Sequence, residues 1–100
     1  GVASPHAAAA AGDVGRIEKF LASGGAVDVR DTRRWSLLHH ASHHGKVEAV
    51  RVLLAAGAMI EASTAIELTP LALACQDGHA AVVAELLASG ARVRGGSSGS

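Results

Sequence analysis

Aromatic side chains are nearly missing from this chain of 100 residues: tyrosine is absent, and Phe20 and Trp35 stand alone. That scarcity argues against a sandwich or barrel built around bulky residues. The apolar half of the composition is instead mostly Ala, Leu and Val, which suit helices whose backbones approach closely. Cysteine occurs once, at Cys75, which excludes an internal disulfide framework and agrees with a reducing compartment. Neither sign of charge dominates, with nine basic and nine acidic residues. No overall field therefore draws the chain to nucleic acid or to an anionic membrane. No apolar run approaches the roughly 20 residues that span a bilayer. Residues 1–11 also lack the basic and large-apolar regions of a signal peptide. These absences point to a single soluble, intracellular domain of cytosol or nucleus, with no membrane insertion and no nucleic-acid partner.

Catalytic signatures are missing as well. The chain has no Gly-rich phosphate loop, no nucleophile elbow and no His-Glu-x-x-His helix. Gly24-Gly25 is not followed by the Lys and Ser/Thr of a phosphate loop, and the carboxylates are scattered singly rather than paired for acid–base work. The expectation is a non-enzyme without catalytic residues, cofactor or metal.

What the chain does have is a period. At an offset of 33, Leu38, Ala41, Gly45, Val50, Leu53, Leu54, Gly57 and Ala58 fall on Leu71, Ala74, Gly78, Val83, Leu86, Leu87, Gly90 and Ala91. The same offset backwards sets His6, Ala8, Gly12, Val14, Leu21 and Gly24 under His39, Ala41, Gly45, Val47, Leu54 and Gly57. Repetition at this length means stacked supersecondary units. In the middle copy, residues 37–44 predict a helix of about two turns that stops at Gly45. Residues 47–56 predict a second, whose stripe is Val47, Val50, Leu53 and Leu54. Residues 58–68 read as a hairpin-like finger, and Pro70 opens the next helix in its first turn. Each helix pair is too thin to bury its own apolar face, so neighbours must stack.

The run Thr69-Pro70-Leu71-Ala72-Leu73-Ala74, with Asp77-Gly78-His79, Val83, Leu86-Leu87 and Gly90-Ala91, resembles the ankyrin repeat. The middle copy matches through Leu38-His39, Ala41, Gly45, Val50, Leu53-Leu54 and Gly57-Ala58, and the first from His6 and Ala8 onwards. The resemblance implies an all-α solenoid of stacked helix pairs with projecting β-hairpin fingers, spanning residues 1–94 as repeats 4–35, 36–68 and 69–94. Residues 95–100, all Gly and Ser, read as a flexible tail. Arg34 and Glu67 occupy finger-tip positions where the family commonly has Gly. Since non-Gly residues adopt φ > 0 reluctantly, distorted or mobile fingers are expected.

By the same resemblance, partners dock on the concave surface of finger tips and short inner helices. That surface carries Thr32, Arg33 and Trp35 from the first finger, Ala65, Ile66 and Leu68 from the second, and His43, His44, Gln76 and Asp77 from the inner helices. The expected function is binding of a partner protein or peptide. Trp35 has two readings: an exposed hot spot beside Arg33, or a side chain folded back over the repeats. His39, His40, His43 and His44 crowd one helix, with pairs at i, i+4 that share a face. A metal or pH-sensing site is one reading of them. The other makes His39 the family's structural histidine, bracing the neighbouring finger, and leaves His43 and His44 exposed. Cys75 aligns with Ser42 and reads as a small packed residue. The last predicted helix, residues 80–88, carries Glu85 as its single charge and looks like an internal repeat without a cap. Self-association through the C-terminal repeat is therefore the alternative function.

Overall fold

Six helices form in the order the period requires: α1 Pro5–Ala11, α2 Val14–Ala22, α3 Leu37–His43, α4 Val47–Ala55, α5 Pro70–Gln76 and α6 Ala80–Ala88. The computed structural model describes residues 4–91. The 92–94 segment and the Gly/Ser tail at 95–100 lie outside the described residues. The short helices start on side-chain caps. Ser4, Ser36 and Thr69 each accept the backbone N–H three residues on, at 3.1, 3.3 and 3.2 Å. Such caps contribute about 1 kcal/mol each. Their ends also recur: Gly45 takes φ 71°, and a Cβ built there would meet the His79 ring at 2.7 Å. Both the turn and the packing therefore demand glycine at that position.

The helices lie in two layers. α1, α3 and α5 stack side by side, α2, α4 and α6 do the same behind them, and each short helix packs on the longer one that follows it. Ile17, Leu38, Val50, Leu53, Val82 and Leu86 are sealed between the layers. Burying each side chain of this size stabilises the fold by about 1.5–3 kcal/mol. The middle unit benefits most, having a neighbour on both sides: α3 buries Leu37, Leu38, His39, Ala41 and Ser42, whereas α1 buries Ala8 and Ala9.

That asymmetry corrects one expectation. Cys75 is exposed, not packed. Its counterpart Ser42 is buried because α5 covers α3, while α5 has no further helix pair over its far side among the described residues.

The fingers project as tight turns, and no strand is assigned among the described residues. The Asp31 N–H bonds the Trp35 carbonyl and the Arg34 N–H bonds the Asp31 carbonyl, both at 3.0 Å. The Thr64 N–H bonds the Leu68 carbonyl at 3.0 Å, and the Glu67 N–H bonds the Thr64 carbonyl at 2.9 Å. Arg34 and Glu67 take φ 63° and 64°. The expected distortion is thus a matched pair of regular turns in which a non-Gly residue accepts the left-handed backbone.

Candidate partner-binding surface

Each finger is organised by a side-chain oxygen at its base. Asp31 Oδ1 accepts the backbone N–H of Arg33 and of Trp35, both at 2.9 Å. Thr64, 33 residues later, accepts the N–H of Ile66 and of Leu68 at 3.3 and 3.1 Å. The two fingers are joined directly. The Arg30 guanidinium donates to the Arg34 carbonyl at 3.0 Å and to the Ser63 carbonyl at 2.8 Å. Asp28 accepts the Met59 N–H at 2.8 Å. The Ala65 N–H reaches the Arg33 carbonyl at 3.4 Å.

Helix α3 holds both fingers with consecutive histidines. His39 is fully buried, and its Nδ1 accepts the Ser36 N–H at 3.0 Å. The ring proton therefore sits on Nε2, which donates to the Leu68 carbonyl at 2.8 Å and grips the second finger. His6 also reaches out from α1, but to the Val29 carbonyl at 3.0 Å rather than to Trp35, the position that corresponds to Leu68. His40 turns the other way and meets Asp31 Oδ2 at 2.8 Å, fixing the base of the first finger. Burial raises the Asp31 carboxyl, but the hydrogen bonds from His40, Trp35 and Arg33 outweigh it and hold it at about 2, against an ordinary 3.8. Burial pushes both His39 and His40 below the usual imidazole value, and Asp31 offsets this for His40 without reversing it. At neutral pH the pair is thus a carboxylate accepting from a neutral ring.

The remaining histidines also have separate partners. His43 pairs through Nδ1 with Asp77 of the next unit, while its carbonyl accepts from His79 Nε2 at 2.8 Å. Among the described residues no three His, Cys, Asp or Glu side chains gather as a metal would need. The rings instead form a line along the inner face. His6 lies 5.4 Å from His40, Trp35 lies 5.0 Å from His40 and 5.3 Å from His43, and His43 lies 4.8 Å from His44. The Arg33 guanidinium covers the indole at 4.9 Å, a contact contributing about 0.5–1 kcal/mol. Trp35 is half-buried against α3 on one side and supports an arginine on the other.

Of the residues expected to face a partner, the structure brings Arg33, Trp35, His43, His44 and Asp77 into one contiguous patch, with Ala65 alongside. Ile66 stands at the second tip, 74% exposed. Leu68 is half-buried and its carbonyl is taken by His39. Thr32 and Gln76 are exposed at the margins. Sequence reasoning passed over Asp31 and Thr64 and met His40 only as one of the clustered histidines, yet these three set the pose of the patch. The one available signal was that Asp31 and Thr64 share the 33-residue offset.

A family model of ankyrin repeats in three copies matches residues 6–95. The chain belongs to the ankyrin-repeat family. A crystal structure of the human ASB11 ankyrin repeat domain is similar, with a TM-score of 0.84 and 36% identity over 91% of this chain. The alignment covers 41% of that domain, so the chain spans less than half of its length. No curated protein sequence matches. Ankyrin repeats generally serve as protein-interaction modules and are typically non-catalytic. None of the described helices is long and apolar enough to cross a membrane.

Proposed function

We propose that this ankyrin-repeat segment is a non-catalytic, intracellular interaction module that docks a partner protein or peptide across its two fingers and inner helices. The observation carrying this reading is the contiguity of the Arg33–Trp35 stack with the protruding Ile66, on turns tied to each other and to α3. Aromatic and arginine side chains dominate binding energy when a rigid support presents them. A pre-formed surface loses little ordering entropy on association. Asp31, Thr64 and His39 supply that support, so the patch has one pose before any partner arrives.

Affinity capture with the intact chain tests it, run beside Ile66→Asp on the second tip and Leu87→Asp on α6. Loss of about 2 kcal/mol of affinity with Ile66→Asp alone supports the finger surface. A loss confined to Leu87→Asp overturns it in favour of the second reading, self-association through α6. That reading rests on Leu87 being 43% exposed on a helix whose one charge, Glu85, is already paired with Arg51 at 3.1 Å. Light scattering that rises from monomer to dimer with concentration marks the same outcome.

A further inference from the structure

The charges on the two fingers are not distributed alike. Asp31 is committed to His40 and to its own turn, and Asp77 is committed to His43. Arg30 is held by two carbonyls, Arg16 pairs with Asp13, and Arg51 pairs with Glu48 and Glu85. Arg33 and Arg34, side by side on the first finger and both exposed, pair with no carboxylate among the described residues. A chain without net charge thus concentrates two uncompensated guanidinium groups at one tip.

Two further observations give these arginines a direction. The Arg33 guanidinium sits over the Trp35 ring, 4.9 Å from its centroid, while the residue stays exposed, so the indole supports the charge from beneath. A planar guanidinium stacked on an aromatic face keeps the donor pairs that take a carboxylate through two parallel hydrogen bonds. Arg34 keeps φ 63°, a conformation that costs a non-Gly residue free energy, and the Arg30 bond to its carbonyl maintains it. Glu67 holds the same conformation at the second tip, so the turn presents Arg34 as a regular part of the repeat. Next to the arginines, across the link from the Ala65 N–H to the Arg33 carbonyl, stands the exposed apolar Ile66.

We propose that the partner is an acidic linear peptide segment of another protein, whose Asp or Glu carboxylates pair with Arg33 and Arg34 while an adjoining apolar residue packs on Ile66. This rests on the finger surface being the docking face, and it adds the chemistry of what docks there. Charge complementarity decides the class. Glu67 shares the second tip with Ile66 and opposes a uniformly anionic ligand, so a mixed acidic and apolar peptide fits better than a polyphosphate strand.

The test is selection of a random displayed peptide library on the intact chain, followed by titration of one enriched peptide. Trp35 is the single tryptophan and tyrosine is absent, so indole fluorescence reads the first finger directly. Enrichment of Asp and Glu beside an apolar residue is expected, with affinity that falls as salt is raised. Arg33→Glu with Arg34→Glu should weaken the enriched peptide about a hundredfold, since like charges then face each other. Losing the Arg33–Trp35 contact should lower the melting temperature by only a few degrees. A cooperative unfolding transition well above the titration temperature therefore rules out unfolding as the cause. Binders without acidic bias that are indifferent to the charge reversal, yet lost with Ile66→Asp, overturn the acidic inference and leave the finger surface standing. Binders indifferent to all three substitutions overturn the finger surface itself. No enrichment over a library selected on the triple variant, or tighter binding of a single-stranded oligonucleotide than of any enriched peptide, overturns the proposal.

Discussion

The two fingers share a backbone and differ in what holds it. Residues 31–35 and 64–68 repeat the same turn, the same pair of N–H groups gathered on a base oxygen, and the same left-handed residue at the tip. In the first finger the oxygen belongs to a carboxylate, which His40 grips from α3. In the second it belongs to a neutral hydroxyl, and α3 reaches past it to the Leu68 carbonyl with His39. One geometry is therefore supported once by charge and once by neutral hydrogen bonds. A repeat fold can vary the chemistry of adjacent loops at fixed shape, as long as something at the base gathers the same two N–H groups.

Removing the base oxygens separates the two modes most sharply. Asp31→Ala strips two backbone N–H groups and the His40 ring of their acceptor, two of these bonds at 2.9 Å and one at 2.8 Å. The expected loss is about 2–3 kcal/mol, given that bonds to a charged acceptor count for more than neutral ones. Thr64→Ala removes two longer neutral bonds and should cost about 1 kcal/mol. Urea unfolding of both variants measures the difference. Equal losses would mean that the His40 contact adds nothing and that the fingers are equivalent after all.

The legible and illegible parts of this molecule divide along the same line. Period, helix pairs and the glycines that stop them are visible in the chain, because each follows from spacing along one repeat. The reach of His39 into the neighbouring finger came instead from the family resemblance. α6 falls on the residues read from the sequence, and α3 and α4 end one residue sooner. The fingers were expected to be distorted because Arg34 and Glu67 replace glycine. They are regular because Asp31 and Thr64 pin the turn from a place where sequence alone shows two unrelated side chains. The His40–Asp31 and His43–Asp77 pairs escaped for a similar reason: they join separate elements, and identical histidines on one helix do not announce which way each ring turns. Cys75 was misplaced because alignment with Ser42 carries over residue position but not the helix that covers it.

Acid distinguishes the fingers next, by a smaller effect. His39 and His40 are held below the ordinary 6.5, so the unfolded chain takes up protons that the folded chain resists. Their contribution is complete above that value and lost as pH falls through the lower folded values. Both fingers are weakened in this first window, because one histidine serves each. Asp31 is held at about 2 rather than 3.8. Its contribution is present above 3.8 and lost as pH falls toward 2, and Thr64 has no proton to gain. A second window should therefore loosen the first finger alone. The expected record is a melting temperature that declines below about pH 6.5, followed by a change in Trp35 fluorescence below about pH 4 that is absent in Asp31→Asn. If amide exchange at Leu68 rises together with that at Trp35 in the second window, the fingers do not act separately.

The smallest effect tests what the fingers share. Arg34 and Glu67 sit at φ 63° and 64°, where an L side chain crowds its own backbone. That conformation costs roughly 1–2 kcal/mol, and glycine escapes it while giving back roughly 0.5–1 kcal/mol in chain entropy. Arg34→Gly and Glu67→Gly should each stabilise the fold by about 0.5–1 kcal/mol, read as a rise in melting temperature. Equal gains are expected, because the strain belongs to the backbone and the bond from Arg30 reaches the Arg34 carbonyl, which glycine keeps. A smaller gain at Arg34 would mean that its side chain already stabilises the free fold. It would then be less available to a partner than Arg33, and the charge asymmetry of the fingers would belong to stability rather than to recognition.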